Sequence, residues 1–246
     1  MFTAKKVIKS VSDNQHQIIS NILQVYNDNQ PIDADITYSL GKFYGTFGDI
    51  LIEQPKYKFD VSPVDDTITK IEPLGPLPLE NESIKCCMFD PPFVISPKNA
   101  PSLVNEDKRS NIICKRFSSY YPVSELLESY QHWLSEMFRV LQKDGIAIVK
   151  CQPTVTGGKQ LNSHHFIWFL AECLGFDLID EFVLICSKGR LISGKIKQQQ
   201  HARKFHSYFY VLKKSRTKKI KYFNHLDDKN INDLLNLFVD HNKKID

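Results

Sequence analysis

Six cysteines are present but no two stand as Cys-x-x-C, which leaves neither a zinc-finger spacing nor a redox dithiol. Cys86 and Cys87 are adjacent in a short apolar run, where strand alternation sends their side chains to opposite faces. They read as small buried hydrophobes of a reducing cytosol, outside disulfide and zinc chemistry. No window approaches ~18 consecutive apolar residues, so no membrane span is expected. The opening MFTAKKVIKSVSDNQHQ lacks the apolar core of a secretory signal, and a cytoplasmic location is expected. No internal repeat is visible. Acidic residues are absent from Lys188 to Lys221, a segment that holds twelve Lys or Arg. The remaining residues carry 20 basic against 28 acidic groups, a net of −8. A cationic segment on an acidic body is a footprint of polyanion binding, and a solvated basic tail without a partner is its bland alternative.

At 246 residues, 42% hydrophobic and 24% charged, the chain predicts one sizeable domain with trimmings and a real core. Its elements alternate. A helix is expected from about Asp13 to Tyr26, with Ile18, Ile19, Ile22, Leu23 and Tyr26 on one face. KYKFDVSP reads as a strand ending at Asp60, and IKCCMF as a strand running into Asp-Pro-Pro-Phe. VSELLESYQHWLSEMFRVLQKDG is the clearest helix, with Ser124 as its expected N-cap and Gly145 as its expected stop. IAIVKCQ is then a strand buried on both faces, as in a parallel sheet. NSHHFIWFLAECLGF predicts a helix ending near Gly175, and LIDEFVLICS and HSYFYVLKK two further strands. This pattern predicts an α/β domain with a mostly parallel sheet, helices on both faces and an antiparallel strand at one edge. Residues 97–122 are too long for an ordinary connection and read as a binding loop or lid.

The step Asp90-Pro91-Pro92-Phe93 carries the chemistry. Residues just past a parallel strand's carboxyl end face the ligand crevice. Two prolines fix φ twice and remove two N–H donors, so what faces outward is acceptor only: the Asp90 carboxylate and backbone carbonyls. Phe93 adds a flat apolar face. Such a step suits the exocyclic amino group of adenine or cytosine. Two acceptors drawing on its hydrogens push the nitrogen toward tetrahedral geometry and localise its lone pair, and position and electrostatics do the rest. Phe93 stacking on the base is worth ~1–3 kcal/mol. A bare Pro-Pro turn leaving a strand is the bland alternative.

Asp-Pro-Pro-Phe resembles the (Asp/Asn)-Pro-Pro-(Tyr/Phe) motif of S-adenosylmethionine-dependent amino methyltransferases, which modify adenine N6 or cytosine N4 in nucleic acids. The resemblance runs from about residue 31 to 214. DADITYSLGKFYG sits where that family has its cofactor loop, KFDVSP where an acid ends the second strand, and RVLQKDGIAIVKCQ where a glycine follows a leucine-rich helix. VKCQPTVTGGKQ and KQQQHARKFHSYFYVLKK are similar to phage and bacterial DNA methylases. The resemblance implies a Rossmann-like class I methyltransferase fold in the unpermuted order. It also implies Asp90, Pro91, Pro92 and Phe93 as catalytic residues and S-adenosylmethionine as cofactor. Asp35, Thr37, Tyr38, Ser39 and Gly41 would receive the cofactor's amino-acid end, and Asp60 its ribose hydroxyls. One departure stands out: the family's Gly-x-Gly is replaced by SLG, so Gly41 stands alone until Gly45 and Gly48.

Lys150 and Gln152 end a strand and are expected to line the crevice or simply finish the strand. His164 and His165 diverge by about 100° on a helix, and no metal site is expected. The expected function is N6-adenine methylation of DNA, with the base leaving the duplex to reach Asp90. Cytosine N4 or adenine in RNA is the near alternative, and a non-catalytic nucleic-acid binder on the same scaffold the distant one. The methyltransferase domain is set at 1–214 and a basic extension at 215–246. Loops 97–122 and 187–206, with Lys195, Lys197, Arg203 and Lys204, are the expected DNA contacts. No block is large enough for a separate recognition domain, so recognition is short, or comes from loops, a partner subunit or a homodimer.

Overall fold

The computed structural model describes residues 7–91, 93, 123–156, 159–186 and 201–215. Eight strands form one sheet. They are β1 (Val11–Ser12), β2 (Ala34–Asp35), β5 (Tyr57–Asp60), β6 (Thr69–Lys70), β7 (Ile84–Phe89), β8 (Leu141–Cys151), β11 (Phe176–Ile185) and β12 (His206–Lys214). Two hairpins stand apart, β3 (Gly45–Phe47) with β4 (Ile50–Ile52) and β9 (Thr154–Thr156) with β10 (Lys159–Leu161). The helices among the described residues are α1 (Gln15–Tyr26), α2 (Val123–Val140) and α3 (Ser163–Leu174).

The strand order is β1-β11-β12-β8-β7-β2-β5-β6. Every neighbouring pair is parallel except the two made by β12. This is a Rossmann-like α/β sheet of mostly parallel strands. The antiparallel pairing of the last two strands is as expected, but β12 inserts between β8 and β11 and is not an edge strand. A strand with polar and apolar residues on both faces gives no sign of which neighbours it will take, and the edge falls instead to the two-residue β1.

Strand alternation splits the core into two. Cys86 and Met88 of β7 face α1, packing with Ile18, Ile19 and Ile22, while Cys87 and Phe89 face α2 and α3, packing with Leu127, Tyr130, Leu134 and Ile167. All are fully or almost fully buried, and a Leu134→Ala cavity in such a layer costs about 2–5 kcal/mol. Helix α1 is capped by the Asn14 side chain, which accepts the His16 and Gln17 N–H groups; Asp13 lies outside the helix.

Two expected helix signals change meaning. Helix α2 already includes Val123, so Ser124 lies inside its first turn and is not the N-cap. The helix ends at Val140, five residues before Gly145. Gly145 is required for a different reason: a Cβ there would meet Lys85 O at 2.8 Å and Gln142 O at 2.9 Å. It lets the chain pass against β7 as β8 turns into register, with a shift between Ile84 and Cys86. Arg139 anchors the lead-in to β7, donating to Leu77 O, Leu79 O and the Asn81 Oδ1 while paired with Glu136.

Candidate active site

From β2 the chain proceeds outward to β5 and β6, then returns to place β7 on the other side of β2. The gap between the carboxyl ends of β2 and β7 is therefore the topological switch point, where open α/β sheets bind their ligands. Asp35 ends β2, Asp90 follows β7, and Asp60 ends β5 on the next strand over. Three carboxylates from three parallel strands thus meet one crevice.

Asp35 is completely buried. Its Oδ1 accepts the Thr37 N–H at 2.9 Å and the Thr37 hydroxyl at 3.4 Å, and its Oδ2 accepts the Tyr44 hydroxyl at 2.6 Å. Thr37 Oγ1 in turn accepts the Asp90 N–H at 2.7 Å. A directed chain therefore runs from the Asp90 backbone through the Thr37 hydroxyl to Asp35, tying the first loop to the Asp-Pro step. Burial pushes the Asp35 carboxyl up to about 7, opposed by the Tyr44 and Thr37 hydrogen bonds and reinforced by the charges of Asp90 and Asp60. The fields of the three acids overlap.

Asp60 holds the other side of the loop. Its Oδ2 accepts the Ser39 N–H at 2.9 Å and its Oδ1 the Ser62 N–H at 2.7 Å, while the Tyr38 N–H bonds Phe59 O. Ser39 takes φ 51° and Gly41 φ 61°, a left-handed turn closed by the Gly41 N–H on Tyr38 O at 2.8 Å. A Cβ on Gly41 would collide with the Tyr38 ring, so the lone glycine is needed for both φ and space. Tyr38 stacks on Tyr44 at 5.5 Å.

Asp90 is 19% exposed at its side chain. Its Oδ2 accepts Lys150 Nζ at 3.1 Å, whereas its Oδ1 is enclosed and has no hydrogen-bond partner among the described residues. Burial raises the Asp90 carboxyl, and the charge and hydrogen bond of Lys150 oppose that rise. Lys150 reaches the site over the Phe43 and Phe209 rings, at 5.1 and 5.7 Å from their centroids.

Asp35, Thr37 and Asp90 are thus linked in one hydrogen-bonded chain and Ser39 and Asp60 in a second contact, with Tyr38 and Gly41 in the same loop. Pro91 is buried and Phe93 half-buried. Pro92, Lys195, Lys197, loop residues 97–122 and the extension after Ser215 lie outside the described residues. Arg203 and Lys204 are half-buried just before β12, whose first residues flank the carboxyl end of β8 through the Tyr208–Cys151 pairing. They sit at the same end of the sheet as Asp90. Gln152 is buried behind β8, and its carbonyl accepts the Ser163 hydroxyl at 2.9 Å. Sequence reasoning missed Tyr44 as the donor to Asp35. Nothing in GKFYG distinguishes it, because the partner is chosen in space nine residues away.

No family model matches the chain, and no curated protein matches it. Among solved structures, a candidate DNA modification methylase of Thermus thermophilus superposes with TM-score 0.36 at 13% identity, over 58% of this chain and 49% of that one. The same protein complexed with S-adenosyl-L-methionine gives 0.37 at 16%, over 57% and 51%. A SAM-dependent methyltransferase of Methanosarcina mazei gives 0.36 at 8%, over 74% and 80%. The chain spans about half the length of the Thermus protein, and likenesses this distant carry nothing about function.

Proposed function

We propose that this protein transfers a methyl group from S-adenosylmethionine to the exocyclic amino group of a nucleobase, adenine N6 in DNA. The observation that carries this reading is the Asp90 carboxylate at the switch point. Its backbone is tied to the first loop, one oxygen is held by Lys150, and the other is enclosed without a partner among the described residues. An unpaired buried acceptor costs about 1–3 kcal/mol, which an N–H donor entering the crevice offsets.

The residues also fit a cationic cofactor. Three carboxylates converge there, close enough for Asp60 and Asp90 to raise Asp35. Asp60, with spare lone pairs beside those used by Ser39 and Ser62, is placed for ribose hydroxyls, and the Tyr38–Gly41 turn for the amino-acid end. When bound beside Asp60 and the Tyr38–Gly41 turn, S-adenosylmethionine would supply an electrophilic methyl group with a neutral thioether as leaving group. Asp90 draws on one amino hydrogen, the carbonyls of the proline step draw on the other, and the proton shed by the nitrogen leaves through Asp90 to water. Phe93 stacks on the base. Arg203 and Lys204, with Lys195 and Lys197, hold phosphates.

Purified protein given labelled S-adenosylmethionine is expected to label DNA, with N6-methyladenine recovered after nuclease digestion and nucleoside mass analysis. Asp90→Ala is expected to abolish transfer while circular dichroism stays unchanged. N4-methylcytosine, or label in RNA alone, would replace the adenine-DNA reading with its near alternative. One observation favours a non-catalytic nucleic-acid binder: the Tyr38 ring lies against Gly41, where a bare glycine loop would leave backbone open. Calorimetry with no heat at millimolar S-adenosylmethionine would select it.

A further inference from the structure

Lys150 lies on β8, on the α1 face of the sheet, since its register partner Phe209 belongs to that layer. Its side chain is only 14% exposed. Exposed ion pairs are worth little, and pairs withdrawn from water roughly break even against their desolvation cost. Stability is therefore a poor reason for a lysine to be placed here. Its ammonium rests on two aromatic faces and reaches a single carboxylate oxygen, Asp90 Oδ2.

We propose that Lys150 is the positioning residue of this site: by bonding Oδ2 it keeps Asp90 ionised and turned so that Oδ1 alone meets the hydrogen of the incoming amine. This rests on the methyl-transfer reading only in naming the amine; the Lys150–Asp90 arrangement stands apart from it. Among the described residues, the other titratable groups that feel Asp90 are Asp35 on β2 and the Cys151 thiol on β8. Asp60, on β5, acts on the same acidic group through Asp35. All are acidic, so among the described residues Lys150 alone supplies a counter-charge to Asp90. With Lys150 neutralised, burial would favour a protonated Asp90. A carboxylic acid with one O–H can rotate to donate from the oxygen that should accept, and the selection of Oδ1 is lost.

Two readouts on the full-length protein test this. In the first, aspartate 13Cγ chemical shifts are followed against pH, the Asp90 resonance being assigned by its loss in Asp90→Asn. Lys150→Met, with Lys150→Gln as the second neutral variant, is expected to raise the Asp90 midpoint by about one pH unit or more, and Lys150→Arg to leave it near the wild-type value. In the second, kcat for methyl transfer to DNA is measured across pH. The acid limb is expected to move upward by the same amount in Lys150→Met, so that its deficit narrows as pH rises, with Lys150→Arg restoring the wild-type profile. An unmoved midpoint, or a rate deficit equal at every pH, overturns the proposal. A wild-type protein that transfers no methyl group while the midpoint still moves removes the methyl-transfer reading and leaves Lys150 in its role; an active enzyme with an unmoved midpoint does the reverse.

Discussion

Asp35→Asn isolates the cost of gathering three acids at one switch point. The Asp35 carboxyl rises from 3.8 to about 7 on folding, with burial as the main cause. Its folded-state pKa lies above the unfolded one, so stability is greatest below about pH 4, falls as pH rises toward 7, and is flat beyond. A rise of this size corresponds to about 4 kcal/mol once both limits are passed. Of that, about 2.5 kcal/mol accrues between roughly pH 5 and pH 8.5, because the unfolded chain has already ionised at pH 5.

Asparagine keeps the shape and cannot ionise. Its Oδ1 can accept the Thr37 N–H as Asp35 does, and its amide can donate to the Tyr44 hydroxyl, which can reverse its role from donor to acceptor. Urea denaturation of both proteins should therefore show Asp35→Asn gaining about 2–3 kcal/mol on wild type as the buffer moves from pH 5 to pH 8.5. Comparing the two proteins cancels the histidines, which titrate in the same window. A gap that stays constant with pH, or narrows, would refute the assignment of Asp35 as a buried, pH-sensitive acid.

The same charge logic predicts that S-adenosylmethionine, a cation, binds more tightly at about pH 8 than at pH 6 and releases a proton, because it favours ionised Asp35. Calorimetry in two buffers of different ionisation heat reads that proton, and its absence counts against the acid cluster as the cofactor site. His164 shows the opposite slope: burial lowers it to about 4, so stability present above pH 6.5 is lost as pH falls toward 4, by up to about 3 kcal/mol. His164→Leu should flatten that acid loss in denaturant melts. Thr37→Val leaves the Asp90 N–H without its acceptor and should lower stability by about 1–3 kcal/mol, whereas Thr37→Ser, keeping the hydroxyl, should stay near wild type. Arg139→Met strips the bonds to Leu77 O and Leu79 O from a side chain that is partly in water and should cost about 1–2 kcal/mol by chemical denaturation.

What could be read from the sequence was what depends on neighbours along the chain. The α2 periodicity, the strand into Asp90 and the opposite faces of Cys86 and Cys87 all follow from local geometry. So does the strand ending at Asp60. The interior place of β12 and the two-residue β1 are choices made in space, and two residues are too few for any period to show. Gly145 was legible as a glycine needed after a helix but not as one needed for contact with Lys85 O, which is 60 residues away in sequence. The β3–β4 hairpin did carry a signal, Gly48-Asp49 between Phe47 and Ile50, of the kind that marks tight turns. The Asp35–Tyr44 pair carried none, since Tyr44 alone is an ordinary loop residue, and Asp90 and Lys150 were each legible at strand ends beside the crevice while their pairing was not.

The division of charge along the chain now has a physical counterpart. Acids collect at the carboxyl ends of β2, β5 and β7, where they repel phosphate and attract a sulfonium. The basic segment from Lys188 to Lys221 delivers Arg203 and Lys204 to the start of β12, at the same end of the sheet but two strands beyond β7. Under the proposed function, a polyanion held by those cations would keep its backbone away from the carboxylates, and an uncharged group such as a base swung out of its stack would approach Asp90 without the repulsion a phosphate meets. Reversing charge at Arg203 and Lys204 should therefore weaken DNA binding and make it less sensitive to salt than in wild type, while leaving S-adenosylmethionine affinity unchanged. Equal damage to both affinities would mean that the two charge regions are not separate sites at all.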